Sequence, residues 1–135
     1  MTTLLAYNAT VVTPITDGVQ INVPQTPAGV GIATVIVNVP NVVPRYVEIR
    51  ATVGIRGDEG TGQYLFRLFR GTTEIYYSLL GAEAGFEKFY LNTIQKTDGN
   101  AAPGPHAYTL SIEKFTPDLS LTVIGPVEIS ASVYG

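Results

Sequence analysis

The chain has 135 residues, no cysteine, 8 Lys plus Arg against 11 Asp plus Glu, and a formal net charge of −3. That length is one domain, able to bury about two-thirds of its unfolded surface without a metal or disulfide staple. The missing thiols exclude disulfides, thiolate metal sites and cysteine catalysis, and the scattered cations do not make the basic stripe of a nucleic-acid binder.

The chain opens MTTLLAYNATVV, without the basic segment, apolar stretch and small-residue cleavage site of a secretory leader. No apolar run approaches the ~20 residues of a membrane-spanning helix, so the expected partners include neither membrane nor nucleic acid. The expected route outside a cell is lysis of the cell that made it. Residues 1–44 carry one charged side chain, Asp17, and every other one lies between Arg45 and Glu128. Within the neutral stretch, Leu4, Leu5, Tyr7, Val11, Val12 and Ile15 precede the first good strand. An uncharged apolar edge in water invites pairing with other chains. Residues 1–16 therefore either add an edge strand to their own sandwich or form a connector arm ahead of a domain over 17–135. As an arm, extended at ~3.3 Å per residue, they would reach roughly 50 Å. A head-to-tail link of that kind builds filaments.

Strands follow in order. Residues 19–23 form a short one. The β-branched run 30–39 suits a strand covered on both faces. In 46–55, Val47, Ile49, Ala51, Val53 and Ile55 alternate with Glu48, Arg50, Thr52 and Gly54, the period of a half-buried strand. Residues 64–70 and 74–79 are joined by Gly71-Thr72-Thr73, where Gly71 can take the positive φ of a short hairpin loop. Residues 82–96 place Phe86, Phe89, Tyr90 and Ile94 near helical spacing, but Gly81 and Gly85 favour strand plus loop. Residues 108–115, 119–123 and 127–134 complete the set. Eight or nine short strands punctuated by Pro and Gly mean an all-β sandwich or barrel.

Candidate chemistry is sparse. His106 is the one histidine, and its neighbour Asp98 shares a Pro/Gly-rich loop with it; a general base needs an orienting partner and a nucleophile. Asp58 and Glu59, in RGDEGTG, offer hard oxygens but no calcium-loop spacing. Arg56-Gly57-Asp58 matches an integrin-recognition string, and Asn8-Ala9-Thr10 an N-glycosylation acceptor. Glu83 and Glu87 make a carboxylate pair with nothing to assign them acid and base roles. Tyr76 and Tyr77, adjacent on a strand, point to opposite faces. Tyr64, Phe66, Phe69, Tyr76, Tyr77, Phe86, Phe89 and Tyr90 are candidates for a sugar-stacking platform, while half or more of them must be core. No enzyme, cofactor or metal site is expected.

The strings VEIRATVGI (47–55), YLFRLFRGTTEIY (64–76), PGPHAYTLSIE (103–113) and VIGPVEISASVYG (123–135) resemble small β-sandwich subunits of spore surfaces and spore appendages in Firmicutes. These look like the trimeric jelly rolls of the tumour-necrosis-factor and complement type. The resemblance implies a jelly-roll β-sandwich of about eight strands with an extended N-terminal arm. It also implies a homotrimer at the spore surface, stacked into a layer or fibre, with residues 1–16 as connector and a collagen-like glycoprotein or anchoring protein as a further partner. The chain itself has no Gly-X-Y stretch and no cysteine, so any fibre would be held without covalent cross-links. Two other functions fit the same residues. One is a module binding a carbohydrate or collagen-like partner through loops 57–62 and 98–106, with Asp58, Glu59, Asp98 and His106 as contacts. The other is a virion or phage decoration protein.

Overall fold

A computed structural model of the chain describes residues 2–135, and they form a two-sheet antiparallel β-sandwich. The strands are β1 (Leu4–Thr13), β2 (Ile21–Asn22), β3 (Val30–Val39), β4 (Tyr46–Glu59), β5 (Thr61–Arg70), β6 (Thr73–Glu83), β7 (Phe89–Asp98), β8 (Gly104–Lys114) and β9 (Ser120–Tyr134). One sheet runs β1-β9-β4-β7, with β2 also on β9; the other runs β3-β8-β5-β6.

The pairing is nested. β5 pairs with β6, β4 with β7, β3 with β8 and β1 with β9. A long antiparallel ribbon with its tip at the β5–β6 turn, wrapped so that successive pairs alternate between sheets, gives this order, which is the jelly roll. At the tip Gly71 has φ 60°, the left-handed conformation that glycine adopts without steric cost.

Alternation builds the core. Val47, Ile49, Ala51, Val53 and Ile55 of β4 are at most 3% exposed and meet Val127, Ile129, Ala131 and Val133 of β9. Tyr64, Phe66 and Leu68 of β5 and Tyr108, Leu110 and Ile112 of β8 supply the opposite layer. Each buried Val, Leu, Ile or Phe among them contributes ~1.5–3 kcal/mol by leaving water. Tyr76 packs against this core while Tyr77 stands exposed, as adjacent strand positions require.

Several expectations change. The two expected strands at 119–123 and 127–134 are one, β9. It passes through Gly125-Pro126 at a bulge, marked by a register shift opposite Val53 and Ile55, and a bulge tolerates proline because no ladder N–H is needed there. A Cβ on Gly54 would lie 1.9 Å from the Gly125 carbonyl oxygen, so β4 needs glycine where it passes the bulge. The run 30–39 is an edge strand with one open face, where Thr34, Ile36 and Asn38 are exposed. Residues 82–96 are strand, turn and strand.

Residues 1–16 are not a free arm ahead of a separate domain. From Leu4 to Thr13 they are β1, the edge strand of this chain's own first sheet.

Candidate functional site

Most of the chemistry-bearing residues lie in the framework. Asp98 ends β7 at 3% exposure instead of opening an exposed loop. Arg70 Nη1 donates to both its carboxylate oxygens at 2.7 and 2.6 Å, Tyr108 Oη donates to Oδ2 at 2.8 Å, and Asn100 N donates to Oδ1 at 3.2 Å. Burial alone would raise the Asp98 pKa; the bonds from Arg70, Tyr108 and Asn100 outweigh it and hold the carboxyl below its ordinary value. Burial, and then the bond to Asp98, push the Tyr108 phenol up. Arg70 and Tyr108 belong to the second sheet and Asp98 to the first, so the cluster ties the two layers together.

His106 is on β8, with Nε2 2.6 Å from the Ala102 carbonyl oxygen. The 98–106 stretch is therefore not a presented loop carrying both residues. The 57–62 stretch is not a loop either: β4 continues to Glu59 and β5 starts at Thr61. Asp58 accepts from Arg56 Nε at 2.6 Å and from Thr122 Oγ1 at 2.5 Å, so Arg56-Gly57-Asp58 is locked within a strand. Burial would raise the Asp58 pKa, but the Thr122 and Arg56 bonds lower it. Glu59 is exposed. Among the described residues, no three His, Asp or Glu side chains are grouped as a metal cage.

Sequence reading passed over Arg67, Arg70 and Asn92, and Tyr64, a stacking candidate by type, is 1% exposed and belongs to the core. Arg67 bridges Glu113, which is 1% exposed, and Glu74. Those two hydrogen bonds, Glu113 first, raise the Arg67 pKa and keep it charged. Tyr64 Oη donates to Asn92 Oδ1 at 3.1 Å across the interior. Alternation signals that Tyr64 and Asn92 point inward, but nothing local says that they meet.

β1 is different from the core strands. Ala6, Asn8 and Thr10 lie opposite Val133, Ala131 and Ile129 of β9, whose side chains are fully buried, and so point inward. Tyr7, Ala9 and Val11 lie opposite Ser132, Ser130 and Glu128 and point outward. The strand turns small and polar groups to the core and its large apolar groups to water. Tyr7 is 60% exposed and Val11 54%. Leu4, Leu5, Val12 and Ile15 are exposed as well, so all six residues expected in a connector lie on the surface of the single chain.

One backbone edge of β1 pairs with β9 and, among the described residues, the other pairs with no strand. The edge carries no charge over its ten residues, although charges are the usual protection of such an edge. Its neighbour in the second sheet, β3, is also an uncharged edge. The tie between them is Asn8 Nδ2 donating to the Ile36 carbonyl oxygen at 2.7 Å, so the amide of the glycosylation string is engaged. Leu5 and Val42 pack around Gly135, whose added Cβ would sit 2.6 Å from Leu5 Cδ1 and 3.3 Å from Val42 Cγ2. Exposed Val42 thereby continues the apolar band past the end of β1.

No family model matches the chain, and no curated protein matches it. Among solved structures it is similar to part of the insecticidal delta-endotoxin Cry8Ea1 from Bacillus thuringiensis, at 9% identity and a TM-score of 0.46. The match covers 83% of this chain and 19% of that one, so the chain spans about a fifth of the toxin's length.

Proposed function

We propose that this protein is a structural subunit that assembles with copies of itself through β1. The observation that carries the reading is the reversed sense of that strand: Tyr7 and Val11 outward, Asn8 and Thr10 inward, at an uncharged open edge. A second copy laid against β1 gains backbone hydrogen bonds along the free edge and covers the apolar stripe. Contact of one copy's β1 with a different surface of the next does not close on itself and propagates as a filament. The setting, a spore-surface layer or appendage fibre built from trimers, rests on the resemblance carried by VEIRATVGI, YLFRLFRGTTEIY, PGPHAYTLSIE and VIGPVEISASVYG.

The test uses point variants, because removing β1 would uncover β9 and confuse loss of assembly with loss of fold. Tyr7→Lys with Val11→Lys places charges on the outward stripe and leaves the inward side untouched. Size-exclusion chromatography with light scattering should show large assemblies for the native chain and small, folded species for the variant. Unchanged assemblies in the variant would refute the role of β1.

A further inference from the structure

The turn between β6 and β7 holds a feature that assembly through β1 does not use. Phe86 is 91% exposed, the most exposed large apolar side chain among the described residues. Its turn is well fixed: Phe86 N and Glu87 N each donate to the Glu83 carbonyl oxygen at 2.9 Å, and Ala84 N donates to Gly60 O at 3.0 Å. Glu83 N donates to Tyr90 Oη at 2.8 Å, which pins the phenol beside the turn. Between this turn and the adjoining ends of β5 and β6 lies a cleft of about 380 Å³, lined by Thr61, Gly81, Glu83, Phe86, Glu87 and Tyr90 among others.

The lining combines one aromatic ring open to solvent, two carboxylates and no cationic side chain. An aromatic face carries negative charge density and attracts the C–H face of a pyranose. Carboxylates accept charge-assisted hydrogen bonds from sugar hydroxyls. The same carboxylates repel uronate, sialate and sulfate groups, so the cleft discriminates by charge as well as shape. Gly81 leaves its part of the cleft open: a Cβ there would meet the Gly62 carbonyl oxygen alone, at 3.8 Å.

We infer that this cleft binds a neutral oligosaccharide, with Phe86 as the stacking platform and Glu83 and Glu87 as hydroxyl acceptors. The site is separate from β1, so the inference stands or falls apart from self-assembly.

The test applies the full chain to an array of neutral hexose and N-acetylhexosamine oligosaccharides beside sialylated and uronic-acid glycans, then titrates the best neutral glycan by calorimetry. The expected result is retention of neutral glycans over acidic ones. Phe86→Ala should weaken that binding at least tenfold. Gly81→Leu, whose Cβ would lie an ordinary 3.8 Å from the Gly62 carbonyl oxygen and whose branch adds bulk at the cleft, should abolish it. Glu83→Gln with Glu87→Gln should weaken it several-fold, and Tyr7→Lys with Val11→Lys should leave it unchanged. All of these side chains are at the surface, and an unchanged melting temperature certifies each fold. No neutral glycan bound at millimolar concentration, preference for acidic glycans, or equal binding by Phe86→Ala and Gly81→Leu would each overturn the inference.

Discussion

The two edge strands of the first sheet, β1 and β7, are held in opposite ways. β7 turns Asn92, Ile94 and Asp98 into the interior, and buried hydrogen bonds from Tyr64, Arg70 and Tyr108 reach it from the facing sheet. It also carries Lys96 and Asp98, and β6, an edge strand of the second sheet, carries Glu74 and Glu83. β1 turns Ala6, Asn8 and Thr10 inward, has one side-chain bond to the facing sheet, and carries no charge. Both edges expose large apolar groups, Tyr7 and Val11 on β1 and Phe89 and Leu91 on β7, so the difference lies in charge and in ties to the facing sheet, and the neutral, weakly tied edge is the one we propose a second copy meets.

The comparison breaks most sharply at Asp98. Asp98→Ala leaves Arg70 without its partner and Tyr108 Oη without its acceptor, and loss of one member of a buried ion pair costs ~3–5 kcal/mol. Chemical denaturation should show this as a lowered midpoint with little change in slope. Tyr64→Phe removes the bond to Asn92 and strands a buried acceptor, at a cost of about 1–3 kcal/mol. On the opposite edge, Asn8→Ala removes an exposed bond and should cost at most ~1 kcal/mol. Tyr7→Lys with Val11→Lys changes outward side chains alone, so single-chain stability should stay within ~0.5 kcal/mol while assembly is lost.

Acid sharpens the same contrast. The folded pKa of Asp98 is held below the unfolded value, so its contribution to stability is fully present above about pH 4, the ordinary aspartate value. It is lost as pH falls through the lower folded value, because the unfolded state then binds the proton more readily. Melting temperatures measured from pH 6 downward should fall more steeply below pH 4 in the native chain than in Asp98→Ala.

How much of this was legible in the sequence differs between the two edges. Period-two alternation at Val47 to Ile55 and Tyr108 to Ile112 points to the sandwich and its core, because burial on one face imposes it directly. The Gly71 hairpin was readable for the same local reason. The nested pairing was not, since nothing in one strand names its partner. Asp98 read as part of a Pro/Gly loop because its stabilising partners, Arg70 and Tyr108, arrive from distant strands. In β1 the apolar residues were conspicuous, but their direction depends on register against β9, which a single strand does not specify. Phe86 stood out as aromatic without any sign that its turn would hold it in water.

Amide hydrogen exchange, followed strand by strand at low and high protein concentration, tests the central claim most directly. If a second copy covers the free edge, β1 amides should gain protection as concentration rises while β7 amides keep the same rates at both. Exchange in β1 that is independent of concentration, in samples that nonetheless form large assemblies, would contradict it.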